Sequence, residues 1–236
     1  VIDHYSLDIK WEKYFLDELS IFLNIDKANL PKILVIDDLA NRKHYCDLLL
    51  DQNYFSEKSL SRYTNLLPRK ANLLLGPHYA LLGKEYSFLS SLEITRKEIR
   101  RILIYCGAVE NGLNNFIFDV IKDNLFKDIY FDFVVSSKSG DFNTLKLNSE
   151  KYQNINIYDV QKSLSSLMIR ADLSIGAGGS TTWERCCLGL PALVITIAEN
   201  QEEVSSILDS NNYLKIICNI KEISKKKLKS YLINTI

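Results

Sequence analysis

Short runs of β-branched and aliphatic residues alternate along this chain with longer stretches whose apolar positions recur at helical spacing. That alternation predicts βαβ units feeding a parallel sheet, an α/β fold class. In the first part the pattern predicts the end of a buried strand at Val1-Ile2-Asp3-His4-Tyr5, a helix over 7–23, strands at 32–37 and 46–51 around a loop at 38–44, and a short strand at 73–76. Residues 77–92 read as a connector, and the charged run 93–101 precedes a fresh strand at 102–106. Two parts are therefore expected, residues 1–92 and residues 93–236. In the second, strands are expected at 130–136, 155–158, 173–175, 192–195 and 214–217, with helices between them. The chain opens on Val1 without a methionine, already at the carboxyl end of a strand, and is read as truncated in its first part.

Composition narrows the function classes. Hydrophobic residues at 47% and charged residues at 25% are the balance of an ordinary globular protein. Lys plus Arg and Asp plus Glu each number 29, so no global field draws the molecule to nucleic acid or anionic lipid. The Lys-rich stretch 221–229 reads as a solvated helix face. The five cysteines form no C-x-x-C pair and the three histidines lack zinc-ligand spacing, so neither a metal nor another cofactor is expected. No stretch is apolar enough for a membrane span and no signal segment opens the chain, which reads as cytoplasmic with reduced thiols.

Candidate chemistry gathers in three strand-to-helix loops. The segment Ser174-Ile175-Gly176-Ala177-Gly178-Gly179-Ser180-Thr181-Thr182-Trp183-Glu184 runs from an apolar strand through a glycine cluster into Ser and Thr residues suited to capping a helix. Glycines admit close backbone approach, and a helix start presents unpaired N–H groups, so a phosphate or diphosphate is the expected occupant. A tight turn that binds nothing is the alternative. Glu184, one turn further, could accept hydrogen bonds from ribose hydroxyls or stand as an ordinary helix-surface glutamate. The loop Ala198-Glu199-Asn200-Gln201 is expected beside the glycine loop; Asn200 and Gln201 offer amides, while Asn200 also suits a helix cap. The third loop, Cys106-Gly107-Ala108-Val109-Glu110-Asn111-Gly112, is a weaker candidate for wrapping a nucleotide or sugar. Cys106, and the mid-helix pair Cys186-Cys187, are read as buried hydrophobes rather than nucleophiles. In the first part, Asp3-His4-Tyr5 and Asp37-Asp38 fall where strands end and could serve acid/base chemistry or simply cap turns.

Ile2-Asp3-His4-Tyr5, Ile36-Asp37-Asp38-Leu39-Ala40, His44 with Cys46-Asp47-Leu48-Leu49-Leu50-Asp51-Gln52, Leu75-Gly76-Pro77, and Gly178-Gly179-Ser180-Thr181-Thr182-Trp183-Glu184-Arg185-Cys186 through Gly189-Leu190-Pro191 to Asn200-Gln201 together resemble the UDP-2,4-diacetamido-2,4,6-trideoxy-β-L-altropyranose hydrolases of pseudaminic acid biosynthesis. The resemblance implies a GT-B-type architecture of two Rossmann-like lobes, similar to the glycosyltransferase that makes lipid II, with the first lobe incomplete here and UDP held by the second. It implies cleavage of the anomeric C–O bond by water with inversion, without a metal. Its catalytic histidine belongs to a Gly-His motif upstream of these residues, and this chain contains no Gly-His dipeptide. By matched position, Tyr5 is implied as an active-site residue, Glu184 as a uridine or ribose ligand and Asn200 as a substrate contact; Gly107, Gly178, Gly179, Ser180, Thr181 and Gln201 stand beside them as candidate substrate-binding residues. Gly107 and Glu110 depart from the family's usual pattern. A GT-B glycosyltransferase passing the sugar to an acceptor, and a non-catalytic UDP-sugar-binding protein, are the alternative readings.

Overall fold

The structure, a computed structural model, describes residues 1–92, 94–107 and 112–236. The chain divides into two compact units, Val1–Leu81 and Leu82–Ile236. The division falls ahead of the 92/93 boundary expected from the charge run, for a packing reason. The connector contains a helix, α2 (Lys84–Leu89), once α1 (Ile9–Leu23) is counted from the N-terminus. Tyr86 of α2 is 1% exposed and packs with Leu103, Met168 and Leu190 in the second unit's core.

The first unit is a parallel sheet of four strands in the order β1 (Ile2–Asp3), β2 (Leu34–Ile36), β3 (Leu48–Asp51), β4 (Asn72–Leu75). Val35 and Leu49 are fully buried in its core, with Ile33, Cys46 and Tyr63 around them. α1 starts where Asp8 accepts the N–H groups of Lys10 and Trp11 and ends at Asn24 in the left-handed region, φ 51°.

The second unit is a six-stranded, wholly parallel sheet ordered β10-β9-β8-β5-β6-β7, with β5 Arg101–Tyr105, β6 Tyr130–Val134, β7 Ile155–Tyr158, β8 Leu173–Gly176, β9 Ala192–Thr196 and β10 Lys215–Asn219. Helices α3 (Leu113–Ile121), α4 (Asp141–Ser149), α5 (Ser165–Arg170), α6 (Thr181–Cys187), α7 (Glu202–Ser210) and α8 (Lys225–Thr235) fill the connections. Alternation along β5 shows why both faces are covered. Ile102 and Ile104 enter one core with Phe131, Phe133, Leu228 and Leu232, while Leu103 enters the opposite core with Val134, Met168 and Leu167. The Lys-rich segment is α8 with a solvated lysine face, as its pattern predicts, and Lys225 and Lys229 pair with Asp119 and Asp123. Among the described residues no helix is long and apolar enough to cross a membrane.

Candidate functional site

In the second unit successive strands spread outward in both directions from the β5/β8 pair. The connections after these two strands therefore leave on opposite faces, and a crevice opens beyond their carboxyl ends, the usual ligand position in a doubly wound sheet. Tyr105 and Gly176 are the last paired residues of that switch point. Gly107 follows with φ +85°, and a Cβ there would meet nothing within 4 Å. Ala108, Val109, Glu110 and Asn111 of this loop lie outside the described residues.

The glycines after β8 have different duties. At Gly176 a Cβ would overlap the carbonyl oxygen of Tyr105, and at Gly178 it would overlap Oγ of the buried Ser205 on α7. Close backbone packing requires glycine at both. At Gly179 the nearest atom to such a Cβ is Gln201 Nε2 at 3.8 Å, so only this glycine presents its backbone without crowding. The sequence reading assigned Gly178 and Gly179 alike to ligand approach; the structure adds a packing constraint at Gly178.

The expected cap is also corrected. Ser180 occupies the cap position of α6 in a helical conformation without a side-chain cap bond, because the first turn is closed by Thr182 N–H to Gly179 O at 2.9 Å and Trp183 N–H to Ser180 O at 3.0 Å. The Ser180 hydroxyl stays exposed and Thr181 half-buried. The cysteine pair divides. Cys187, half-buried, packs against the core around Tyr86 and Met168 as expected, whereas Cys186 is exposed at the end of a seven-residue helix. Cys106 is buried, and burial pushes its thiol up to about 12, which suits a packing role.

Gln201 lies beside Gly178 and Gly179, as expected for the loop after β9, and its Oε1 accepts the Ile197 N–H at 3.1 Å. Asn200 is exposed in the 3-10 turn Glu199–Gln201. It is not the cap of α7, whose cap position is Gln201 without a side-chain bond. Glu184 is half-buried on the other side of the loop. Burial raises its carboxyl above the ordinary range, against the pull of the Tyr86 phenol and Arg185. The phenol of Tyr105, raised by its own burial, also feels the Glu184 charge. The fold thus sets Gly179 beside Gln201 in the loops after β8 and β9, and groups Glu184 with Tyr86 and Tyr105.

Sequence reasoning missed Arg185. It is 3% exposed, and its Nη2 donates to Ala177 O at 2.7 Å and to Thr182 Oγ1 at 3.0 Å. Burial lowers its pKa to about 10. The available signal was a second charge directly after Glu184 in an otherwise apolar and small-residue stretch.

In the first unit, Tyr5 is exposed and its phenol lies against Asp38; burial and the carboxylates of Asp38 and Asp3 raise its pKa. Asp37 is consumed structurally, accepting from Arg42 Nη1 at 2.7 Å and Ala40 N–H at 2.9 Å. His4 Nδ1 accepts the Ser6 N–H at 3.0 Å, a structural role. Asp38 is different. Its Oδ1 is buried with no hydrogen-bond partner, and burial followed by the nearby Asp37 charge raises its pKa. Asp51, which the sequence reading did not single out, pairs with Arg62 at 2.5 Å and receives the Tyr63 hydroxyl at 3.0 Å. Among the described residues no group of three or more His, Cys, Asp and Glu could hold a metal ion.

Residues 101–232 match the glycosyltransferase family 28 C-terminal domain. The spore coat polysaccharide biosynthesis protein SpsG of Bacillus subtilis is 28% identical over 130 residues, covering 53% of this chain and 38% of that protein. The uncharacterized protein MJ1062 of Methanocaldococcus jannaschii is 28% identical over 208 residues, covering 83% of this chain and 42% of its own. The matches thus span about two fifths of these curated relatives. In structure the chain is similar to MurG of Acinetobacter baumannii, with TM-score 0.55 and 12% identity over 96% of this chain and 69% of that one. It is similar as well to Arabidopsis thaliana UGT89C1 complexed with UDP-L-rhamnose, with TM-score 0.61 and 9% identity over 94% and 60%. These structural likenesses establish a shared GT-B α/β fold.

Proposed function

Because the chain belongs to the glycosyltransferase family 28 C-terminal domain family, we propose that its second unit holds the UDP portion of a nucleotide-sugar donor and that the protein transfers the sugar. The observation that carries this is the loop after β8, where Gly179 with its uncrowded backbone lies beside Gln201 of the loop after β9, next to the β5/β8 switch point, with half-buried Glu184 one turn along α6. The uncrowded backbone of Gly179, with the hydroxyls of Ser180 and Thr181, receives the diphosphate. Glu184 accepts from ribose hydroxyls, and Asn200 and Gln201 contact the phosphate-proximal sugar. Gly107, at its positive φ, lines the facing side. In the reaction an acceptor oxygen bonds to the anomeric carbon, the C–O bond to the β-phosphate breaks with its electron pair leaving on UDP, and a base takes the acceptor's proton. Donors aimed at the departing diphosphate stabilise the charge that develops there. Tyr5, beside Asp38, is assigned to the sugar end of the reaction.

A second reading replaces the acceptor by water, giving a UDP-sugar hydrolase acting on a diacetamido-trideoxy sugar. The residue runs from Ile2 to Gln201 that resemble the pseudaminic acid pathway hydrolases favour it. Calorimetric titration with UDP, ADP and uridine tests the site, with UDP expected to bind best. Absence of heat at millimolar UDP rejects it. UDP release from UDP-sugars with and without added acceptor then separates the readings: release that needs an acceptor identifies a transferase, and release in water alone a hydrolase.

A further inference from the structure

A guanidinium buried without a carboxylate partner is costly, because its hydration is lost and only strong local interactions restore it. Arg185 comes close to such a group. It is 3% exposed, the neighbouring Glu184 charge reaches it without a hydrogen-bonded ion pair among the described residues, and its Nε is buried with no hydrogen-bond partner. Its two other contacts are both to the glycine loop and the helix that follows: Nη2 to Ala177 O at 2.7 Å and to Thr182 Oγ1 at 3.0 Å. Nη1 lies 3.1 Å from where a Cβ on Gly176 would sit, so the cation lies under the start of the loop. Cys186, Glu184 and Cys106, the residue after β5, stand near it, and burial pushes the Cys106 thiol up to about 12.

We propose that Arg185 is the resident positive charge of the donor site, a positioning residue that holds the 176–182 loop from below and completes its charge balance when the diphosphate of the nucleotide binds above. This rests on the nucleotide reading given above and deepens it, since it names the charge that discriminates diphosphate from nucleoside. The chain has no cluster of exposed arginines or lysines in this loop to do so; from 171 to 200 Arg185 is the only Lys or Arg. A cation in a low-dielectric setting acts through a few ångströms of protein more strongly than an exposed one does through water. Both hydrogen bonds leave from Nη2, so one cationic nitrogen bonds the Ala177 carbonyl and the Thr182 hydroxyl at once.

The experiment compares the wild-type protein with Arg185→Gln and Arg185→Lys, measuring affinity for UDP, UMP and uridine by calorimetry. Glutamine can still donate to Ala177 O but carries no charge. The expected result for R185Q is UDP affinity lowered by about tenfold or more with uridine affinity unchanged, a gap that corresponds to about 1.4 kcal/mol. R185K is expected to keep most of the preference. An R185Q protein with the wild-type ratio of UDP to uridine affinity overturns the proposal, and so does equal loss of both ligands, which marks a purely structural arginine. Should R185Q fail to fold, inorganic pyrophosphate on the wild-type protein decides. Competition with UDP and a raised melting temperature are expected, and the absence of both overturns the proposal. If wild-type protein binds neither UDP nor uridine, it is the nucleotide reading itself that fails.

Discussion

Gly178 packs so closely against Ser205 that a Cβ at position 178 would overlap the Ser205 hydroxyl, with Val194 Cγ1 3.4 Å away on the next side. One glycine of the candidate nucleotide loop is thereby held by the helix behind it, and its neighbour Gly179 is left open to the crevice. Substitution at the two positions should separate folding from binding. Gly178→Ala should destabilise the protein by about 1–3 kcal/mol through overpacking. Ser205→Ala in the same chain should return part of that loss. Gly179→Ala should change stability by less than about 1 kcal/mol and yet weaken UDP binding, because the added methyl group stands where the backbone meets the ligand. Urea unfolding and calorimetry on the three variants check this; equal behaviour of 178 and 179 contradicts it.

Glu184 should exchange stability for binding. Its carboxyl is raised by burial, so ionisation is harder in the folded protein than in the unfolded chain. That contribution to stability is present at low pH and declines as pH rises from the ordinary carboxylate range through the raised value. Glu184→Gln removes the decline and should be at least as stable as wild type at neutral pH. The same variant should lose about tenfold in UDP affinity, the worth of a charged acceptor on ribose hydroxyls. Wild-type affinity should climb with pH through the raised pKa, whereas the variant's profile should stay flat over that interval.

Asp38 follows the same sign in the first unit. Burial and the Asp37 charge raise it, and its Oδ1 has no partner. Asp38→Asn is therefore expected to raise the melting temperature at pH 7 and to lose that advantage in acid, where the wild-type carboxyl is already protonated. If Tyr5 and Asp38 act at the sugar end of the reaction, D38N and Tyr5→Phe should each slow turnover while leaving UDP affinity unchanged. A variant of either kind that weakens UDP binding as much as turnover counts against that assignment.

Glu12 and His44 test what holds the first unit together. Both side chains are fully buried, with Oε1 of Glu12 2.6 Å from His44 Nδ1, and the Tyr45 N–H bonded to Oε2 of the same carboxylate. Glu12→Ala leaves the buried His44 ring nitrogen and the part-buried Tyr45 N–H without their partner and should cost about 3 kcal/mol, against a smaller loss for Glu12→Gln. Denaturant unfolding followed by Trp11 fluorescence in a Trp183→Phe background reads the difference, and near-equal losses would contradict it.

Much of this protein was determined locally. Period-two and period-3.6 patterning placed the strands and most helices, since side-chain burial on a parallel sheet must follow backbone geometry; β5 shows it, with Ile102, Leu103 and Ile104 alternating between two cores. The glycine loop after β8 and the neighbouring position of Gln201 were legible for a similar reason, because chain order and glycine content restrict where a strand-to-helix turn can go. What only the tertiary structure decided are relations between residues distant in sequence. The charge run at 93–101 suggested a boundary, but Tyr86 finds its partners at Leu103 and Met168, and burial of that ring moves the division to Leu81/Leu82. Whether Gly178 serves a ligand or a helix depends on Ser205, which no local pattern connects to it. Nothing local marks Arg185 as buried until the fold sets it against Ala177, Thr182 and Cys106. Local sequence carries backbone preference and hydrophobic period; desolvation and close approach are properties of what the folded chain brings alongside.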